Sequence, residues 1–463
     1  MKETRRKLFL GVDVGGTKIM VALVKRSGAI IGRKRVPTPR EGTAQDTLAT
    51  IIKAMKDVLE EEGVGPKELA AIGMAIPGVV DPDKGLVVVT PNMNLTGLRV
   101  GPRVEKRLGV PVVLGNDVNL GTLGEKWLGA ARTARNVVGI FPGTGIGGGL
   151  IVDGKLVRGA REAAGEIGHI IMAIGGPLCG CGNRGCLEAL ASRSAIERDI
   201  RDAVAVGRKT ILTKLTNGDL SIIKSSMLRR ALEKKDKLVT AILRKAAETL
   251  GYACITIRHV LDPDLIVLGG GLMEACGDFI LPIVEAVLAS DPYPGARPSR
   301  GVVQSALGDD AVVLGGVALA QERIGMDPFA AAAEAADDYP TLESAEPGRI
   351  DLIIGSDRSH TSYESDIFIR ADGEIKKRRK AEAKAKYGTS HKIDAAELEK
   401  VCRGGPEVLI VGTGYDGHAE VTPDGERFLR SRRIAFEALP TPKAVAAYNV
   451  ARGRKAALIH VTC

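Results

Sequence analysis

One histidine and three cysteines lie close together in GHIIMAIGGPLCGCGNRGCLE, the stretch from Gly168 to Glu188. After nine intervening residues, His169 is followed by Cys179, Cys181 and Cys186. This ligand set and spacing suit tetrahedral zinc, and three cysteines cannot all pair as disulfides. Four protein ligands leave no coordination position open for water or substrate, so the expected ion is structural.

Two carboxylates flank this cluster. Glu166 stands three residues before His169 and Glu188 two residues after Cys186, so a bound ion would fix one relative to the other. Carboxylates held in this way suit bidentate hydrogen bonds to a polyol, and the ring nitrogen of His169 that is not bound to metal can donate or accept one more. The alternative is that both glutamates are solvated surface residues.

A candidate general base lies in GNDVN, residues Gly115 to Asn119, directly after the apolar strand VPVVL. At the end of a strand, Asp117 can accept the proton of a hydroxyl in phosphoryl transfer, while Asn116 hydrogen-bonds a neighbouring hydroxyl. The alternative is an Asx turn or a helix cap. Two phosphate-type loops in the same chain favour the base.

Those two loops are rich in glycine. DVGGTK, from Asp13 to Lys18, places two glycines where a hairpin turns, so backbone N–H groups can approach an anion, and Asp13 can orient a magnesium-bound phosphate. A plain tight turn is the alternative.

GTGIGG, from Gly143 to Gly148, formally matches the dinucleotide pattern G-x-G-x-x-G. Strand-like residues follow it instead of a helix, so we interpret it as a phosphate-cradling hairpin. GTGYDG, from Gly412 to Gly417, is a second formal match. Its helix begins only several residues later, and we interpret it as a loop of unknown use.

The elements that must position these residues form two copies of one pattern. LFLGVDVGGTKIMVALVKRSGAIIGRKRV predicts a three-stranded antiparallel meander, and VVGIFPGTGIGGGLIVDGKLVRG repeats it. A helix follows the first copy and ends near Gly63. Helices are predicted over most of 189–260 and 273–290, with LDPDLIVLGGGL between them as a buried strand that runs into three glycines. Two such copies indicate two related lobes that face a common ligand.

Length and composition divide the chain further. At 463 residues, more than one domain is expected. After Pro328 the sequence becomes rich in Ala, acidic residues and Pro, which predicts a linker over 329–348. The strand sequences IDLIIG, EVLIVG and AALIHV follow, with helices that begin at Thr422 and near Thr441. Residues 349–463 are therefore expected to form a small α/β domain.

Composition also limits the class of function. The net charge is +9, but no aromatic residues alternate with basic runs such as Lys376 to Lys380, so we expect a solvated face and no nucleic-acid partner. No stretch reaches the roughly 18 consecutive apolar residues of a membrane helix, and the N-terminal apolar run lacks a cleavage site. Seven cysteines, an odd number, argue against a disulfide framework. A cytoplasmic protein without a membrane partner is expected.

Seven motifs, taken in order, resemble the ROK family of bacterial-type sugar kinases and repressors: GVDVGGTK, AIPGVVD, GNDVN, GTGIGGG, AAGEIGH, CGCGNRGCLE and LIVLGGGL. The resemblance covers residues 7 to about 325. It implies an α/β fold of two ribonuclease-H-like lobes, as in actin, Hsp70 and sugar kinases, with ATP and sugar in the cleft and usually a dimer or tetramer. The first lobe is then expected at 1–116, completed by a helix at about 311–325, and the second, with the zinc site, at 117–310.

The resemblance also implies residue roles. Asp117 is similar to the catalytic base of the family. The implied sugar contacts are Asn92 (with Asn94 as an alternative register), Asn116, Glu166, His169 and Glu188. The implied nucleotide contacts are Asp13, Gly15, Gly16, Thr17 and Lys18 in the first phosphate loop, Gly143, Thr144, Gly145 and Gly147 in the second, and Gly269, Gly270 and Gly271 in the adenosine motif.

The terminal segment, from about 350 to 463, resembles a small domain family of poorly defined function through VLIVGTGYDGHAEVTPDG and LPTPKAVAAYN. That family includes a mitochondrial complex I assembly factor and an adipogenesis-associated protein. It implies no catalytic residue. Asp416 and His418 are polar loop residues, either surface-turn residues or the lining of a pocket.

The expected function is ATP- and magnesium-dependent phosphorylation of a hexose hydroxyl, with glucose as the first candidate and other hexoses or N-acetylhexosamines as alternatives. A sugar-responsive repressor is a second class, but the first strand begins within about eight residues of Met1, which leaves no room for the DNA-binding winged helix of family repressors. A non-catalytic sugar sensor that acts through the terminal domain is the third.

Overall fold

The structure of the protein is a computed structural model that describes residues 8–39, 41–91, 93–295, 300–329, 339–354, 359–451 and 453–461. Up to residue 329, the strands are β1 Leu8–Val14, β2 Lys18–Lys25, β3 Ile30–Pro37, β4 Leu69–Ile76, β5 Val79–Asp81, β6 Leu86–Val89, β7 Val112–Asn116, β8 Val137–Pro142, β9 Ile146–Val152, β10 Lys155–Leu156, β11 Leu265–Leu268 and β12 Val302–Gln304. The helices of this part are α1 Ala44–Glu61, α2 Val100–Leu108, α3 Asp117–Leu128, α4 Leu187–Ala191, α5 Arg193–Ala205, α6 Leu212–Leu215, α7 Ser225–Glu233, α8 Lys237–Leu261, α9 Gly271–Ala289 and α10 Ala311–Arg323.

The first sheet has the strand order β3-β2-β1-β4-β7, with β1 to β3 antiparallel and β4 and β7 parallel to β1. The predicted meander is therefore confirmed. The predicted helix is α1, which begins with a capping box between Thr43 and Asp46 and buries its apolar face on this sheet. Gly63, just after the helix, has φ +64°, the left-handed conformation that terminates helices.

The second sheet repeats the order of the first as β10-β9-β8-β11-β12. Here β8 and β9 form the predicted second hairpin, and all four residues of β11 are buried, as the apolar run before the three glycines indicates. Helices α4 to α9 follow the predicted helical segments and cover this sheet with one apolar core. The two sheets thus present their hairpins, β1–β2 and β8–β9, as equivalent parts of two related lobes.

Helix α10 joins the lobes because it packs on both the first sheet and α3. The approach to the sheet is too close for side chains. A Cβ on Gly73 would lie 1.8 Å from the carbonyl oxygen of Gly316, and a Cβ on Gly11 would lie 2.2 Å from that of Val313. One apolar cluster accordingly contains residues of both sheets and of α10.

The remaining part of the chain forms a separate α/β unit. Its strands are β13 Thr341–Glu346, β14 Arg349–Ile354, β15 Ser359–Tyr363, β16 Ile367–Ile369, β17 Ile375–Lys377, β18 Lys392–Ile393, β19 Val408–Thr413, β20 Glu420–Val421, β21 Ala435–Leu439 and β22 Lys455–His460. Its helices are α11 Ala381–Tyr387, α12 Ala395–Val401, α13 Pro423–Ser431 and α14 Thr441–Val450. The central sheet has the order β17-β16-β22-β19-β21, and β13 to β15 form a second sheet.

The start of this unit differs from the sequence prediction. Strand β13 begins at Thr341, inside the segment 329–348 that was predicted as a linker, and it pairs with β14. The strand has only six residues, TLESAE, two of which are acidic. A sequence this short and acidic resembles a linker more than a strand. Residues 330–338 of that segment lie outside the described residues.

Arginines connect the terminal unit to the second lobe. The Arg432 guanidinium donates to the carbonyl oxygen of Ser305 at 2.7 Å, and Arg132 pairs with Glu407 at 3.0 Å. Ser305 itself donates to the buried Glu125 at 2.6 Å, so the contact reaches the segment just before α10. Within the described part of the chain, no helix combines the length and apolarity needed to cross a bilayer.

Candidate active site

The predicted base lies where β7 passes directly into α3. Asn116 is the N-cap of this helix, because its side-chain oxygen accepts from the backbone N–H groups of Val118 at 2.9 Å and Asn119 at 3.1 Å. Its amide nitrogen donates to the carbonyl oxygen of Gly78 at 3.0 Å. The helix-cap alternative is therefore correct for Asn116, and Asp117 is the first residue of the helix.

The carboxylates of Asp13 and Glu166 both lie within electrostatic range of Asp117 at this helix start. Burial raises the pKa of Asp117 to about 6, with a further increase from the negative charge of Glu166 and a partial offset from the Val118 N–H. Burial and the charge of Asp117 raise the pKa of Asp13 to about 7. Like charges brought together out of water disfavour ionisation, which is a common feature of catalytic sites.

The first glycine hairpin connects β1 to β2. Within it, the Gly15 N–H donates to the Lys18 carbonyl oxygen at 3.0 Å, and the Thr38 hydroxyl donates to the Gly15 carbonyl oxygen at 2.6 Å. The Lys18 ammonium lies 3.1 Å from Asp309, which also pairs with Arg35 at 2.9 Å. Burial alone would raise the pKa of Asp309, but the two cations lower it. Asp309 and Arg35 were not predicted; they tie the hairpin to the start of α10.

The second glycine hairpin connects β8 to β9 and is held by Glu188. The carboxylate accepts from the Ile146 N–H at 2.9 Å and lies where a Cβ on Gly145 would be, at 2.3 Å. Glu188 therefore positions the hairpin in addition to standing beside Cys186, one of the candidate metal ligands. A Cβ on Gly147 would lie 2.4 Å from the Val118 side chain, so the hairpin also packs directly against the start of α3.

Arg193 is a further residue of this hairpin that sequence reasoning missed. Its guanidinium donates to the Thr144 hydroxyl at 2.7 Å, and its backbone N–H donates to the Gly143 carbonyl oxygen at 2.9 Å. It also pairs with Glu197 at 2.8 Å, one turn along α5. The only sequence signal is an arginine just after Ser192, the helix N-cap, where cations are uncommon.

The three glycines predicted to contact adenosine lie between β11 and the N-terminus of α9. Gly270 has φ +81°, and a Cβ there would lie 2.8 Å from the Pro142 carbonyl oxygen, at the end of β8. A Cβ on Gly269 would lie 2.7 Å from the Phe141 ring, whereas Gly271 has open space. The start of α9 therefore lies beside the second hairpin, and both can offer N–H groups to an anion.

The histidine and three cysteines converge as their spacing predicts. Their four ligand atoms lie within 4.8 Å of one another. His169 Nδ1 is 3.6 Å from Cys179 Sγ, and Cys181 Sγ is 3.7 Å from Cys186 Sγ. Tetrahedral zinc requires about 3.6 Å between nitrogen and sulfur and about 3.8 Å between two sulfurs. Burial raises the pKa of Cys179 to about 12, so its thiolate needs a nearby cation, and these residues fit a zinc ion.

The remaining candidates for sugar contacts differ in whether their polar atoms are already hydrogen-bonded within the protein. Glu166 is half exposed and lies 3.9 Å from His169 Nε2, the ring nitrogen that points away from the cysteines. Asn92 lies outside the described residues. Asn94, the alternative, accepts from the Thr47 hydroxyl at 2.8 Å and donates to the Gly42 carbonyl oxygen at 2.9 Å. Its amide is therefore used within the first lobe.

Comparison with known proteins identifies two regions. Residues 344–460 match a family described as a protein of unknown function (DUF498/DUF598). Residues 9–323 match the ROK family. The xylose repressor of Caldicellulosiruptor bescii is 28% identical to the chain over 311 residues, which span 67% of this chain and 77% of the repressor.

Two glucokinases are more similar over this region. The Thermotoga maritima glucokinase is 32% identical over 318 residues, which span 68% of this chain and 98% of that enzyme. The crystal structure of a ROK family glucokinase from Streptomyces griseus in complex with glucose and AMPPNP is 31% identical, with a TM-score of 0.60, covering 68% of this chain and 99% of that chain. The predicted two-lobed sugar-kinase fold is confirmed, and the chain belongs to the ROK family.

Proposed function

We propose that this chain is a sugar kinase that transfers the terminal phosphoryl group of ATP to a hydroxyl of a hexose, with glucose as the first candidate. The observation that carries the proposal is the position of Asp117. It lies at the start of α3, against the β8–β9 hairpin and within the electrostatic reach of Asp13 on the β1–β2 hairpin. Two relatives of the chain, at 32% and 31% identity, are glucokinases.

Phosphoryl transfer to a hydroxyl requires a base at that position. A hexose hydroxyl attacks the terminal phosphorus, the bond from phosphorus to the bridging oxygen of ADP breaks, and the hydroxyl proton passes to the Asp117 carboxylate. A base with a pKa of about 6 is mostly ionised at pH 7 yet still basic enough to accept the proton. Positioned bases of this kind contribute about 10²- to 10⁴-fold in rate.

The glycine hairpins and the start of α9 would hold the nucleotide phosphates through backbone N–H groups, with Arg193 fixing Thr144 in the second hairpin. Asp13 would face magnesium, whose charge offsets that of the phosphates. The site fits such a cation because burial and Asp117 make the Asp13 carboxyl hard to ionise without one.

The sugar side of the cleft would be formed by Glu166 and His169 Nε2. Glu166 is free to accept from two sugar hydroxyls, whereas one oxygen of Glu188 already accepts from Ile146. A structural zinc ion on His169, Cys179, Cys181 and Cys186 would fix the ring of His169 and the spacing of both glutamates. Cytoplasmic location, a dimeric or tetrameric assembly and the absence of a nucleic-acid partner remain predictions.

The test is ADP release with ATP and magnesium across a panel of hexoses and N-acetylhexosamines. Asp117→Asn should lower turnover by about 10²-fold or more while calorimetry still detects sugar binding. Asp202→Asn, the same change on the exposed face of α5, is the matched control and should leave turnover unchanged. Zinc-loaded, folded protein that binds a hexose but releases no ADP would contradict the kinase and favour the sensor.

A further inference from the structure

A second group of reactive side chains lies in the terminal unit, at one edge of its central sheet. His460 ends β22, and it is aligned with Thr413, the last residue of the parallel strand β19. The loop Gly414–His418 follows β19 at this edge, and Asp366 directly precedes β16, which is antiparallel to β22. Loops beyond the carboxyl ends of parallel strands are the usual ligand-binding edge of α/β sheets.

The inner layer of this group is a buried ion network. Asp366 is inaccessible to solvent; one oxygen accepts from the Val461 N–H at 3.0 Å, and the other faces His460 Nδ1 and lies 3.0 Å from the Lys380 ammonium. Arg378 lies 3.5 Å from Asp366 and pairs bidentately with Glu397 at 2.7 and 2.9 Å. Two carboxylates, Asp366 and Glu397, therefore face the cations Arg378 and Lys380 in this layer.

The outer layer is a row of three imidazoles that we call the histidine row: His460, His391 and His418. The His391 ring lies edge-on to His460 at 5.3 Å between centroids and is stacked on His418 at 5.7 Å. Exposure increases along the row, from fully buried His460 to half-buried His391 and exposed His418. The row leads from the buried aspartate to solvent.

Both cations and carboxylates surround the row, the carboxylates being Asp366 beside His460 and Asp416 on the adjacent loop. Burial lowers the pKa of His391, and positive charge on its neighbours lowers it further. Those neighbours are His460, His418, Arg378 and Lys380. Glu420, next to the row on β20, is paired with Lys392. An anion at the row would therefore find nearby cations and imidazole donors, with the exposed Asp416 of the loop as the competing carboxylate.

The adjacent loop offers further donors. Gly414 and Gly417 have φ +94° and +74°, so the backbone turns sharply between β19 and His418. No described residue accepts a hydrogen bond from the backbone N–H groups of residues 415–418. Successive N–H groups in a glycine-rich turn form a concave anion site. The GTGYDG motif thus forms a sharp turn at this edge of the sheet.

We propose that the histidine row and the loop 414–418 bind the phosphate group of a small molecule, as a phosphate dianion held by imidazole and backbone N–H donors. A metal ion is the other ligand that histidines suggest. Within the described residues, however, only the His169 cluster brings three or more ligand atoms within 4.8 Å of one another. The source of the phosphate group is either inorganic phosphate or a sugar phosphate.

The experiment is an NMR titration of the histidine rings in the full-length chain, which has six histidines. The pKa of each ring is measured in sodium chloride, inorganic phosphate and glucose 6-phosphate at equal ionic strength. An anion within about 4–6 Å favours the protonated imidazole, so either phosphate compound should raise the pKa of His391 and His418 by about 1 or more. His259 and His360, which pair with Asp291 and Glu343, are internal controls and should not respond.

Variants assign and separate the effect. His418→Gln removes an exposed imidazole and should abolish the response of His391, whereas His360→Gln should leave it intact. A response to both compounds identifies the phosphate group alone, and a response only to glucose 6-phosphate identifies a sugar phosphate; either supports the site. Rings that respond no more to the phosphates than to sodium chloride would overturn it. Kinase turnover is not used, so a failure of the proposed kinase would leave this result readable.

Discussion

Replacing Asp117 by Asn should stabilise the protein while it disables the proposed reaction. The pKa of Asp117 is raised from 3.8 to about 6, so folding disfavours its ionised form. The native state then binds more protons than the unfolded chain between these two values, and stability from this group is lost as pH rises through them. An asparagine keeps the acceptor for the Val118 N–H but carries no charge.

The magnitude follows from the difference of about 2.2 between the two pKa values, which corresponds to about 3 kcal/mol. Asp117 is partly open to the cleft, and solvent screening reduces this figure, so we expect the variant to gain about 1–3 kcal/mol at pH 8. At pH 5 the folded carboxyl is largely protonated, and the gain should be smaller by about 1 kcal/mol.

Urea unfolding of zinc-loaded wild type and Asp117→Asn at pH 5, 6.5 and 8 measures this difference directly. Asp202→Asn, an exposed aspartate on α5, serves as the matched control and should show no pH-dependent gain. A variant that is equally stable or less stable than wild type at pH 8 would refute the argument that burial and Glu166 hold this carboxyl in an unfavourable charged state.

Two further predictions concern the groups around the base. Cys181→Ser, at an exposed candidate ligand, should reduce bound zinc, measured by mass spectrometry, from one equivalent to none. Sugar binding should be lost as well, because a structural zinc site supplies on the order of 10 kcal/mol to folding. Full sugar affinity in the zinc-free variant would count against this prediction. Arg193→Ala should raise the KM for ATP by roughly 10-fold or more, the value of a charged hydrogen bond, without a matching change in the KM for sugar. Steady-state kinetics would check this, with Arg201→Ala on the same helix as the control variant. An unchanged KM for ATP in Arg193→Ala would show that the hydrogen bond to Thr144 does not contribute to nucleotide binding.

Local patterns predicted most of the fold. The alternating apolar runs and glycine turns predicted both meanders, and Pro423 after Thr422 predicted the start of α13, because each depends on residues close in sequence. The convergence of His169 with the three cysteines was predicted for the same reason. Strand β13 was missed because six residues of acidic and small side chains carry no clear period until β14 pairs with them.

The contacts that support the site were less accessible to prediction. Lys18 and Asp309 are 291 residues apart, and neither position alone indicates that the two meet. Asn116 caps the helix and Asp117 is its first residue. Which of the two takes which position depends on backbone angles at the end of one strand, and the sequence does not specify them. Glu188 stands beside the candidate metal ligands in sequence, but the hydrogen bond that it accepts from Ile146 forms only when the hairpin folds against α4.

Helix α10 has a consequence for how the chain folds during synthesis. The first sheet needs this helix, whose carbonyl groups lie against Gly11 and Gly73, yet about 195 residues separate residue 116 from residue 311. At a synthesis rate of about 5–20 residues per second, roughly 10–40 s pass between synthesis of the first sheet and synthesis of α10. During that interval the face of β1 and β4 that α10 later covers is open to water, to chaperones and to other nascent chains. Chains arrested on the ribosome before residue 311 should therefore be cleaved by protease within residues 8–116, and chains arrested well after residue 323 should resist.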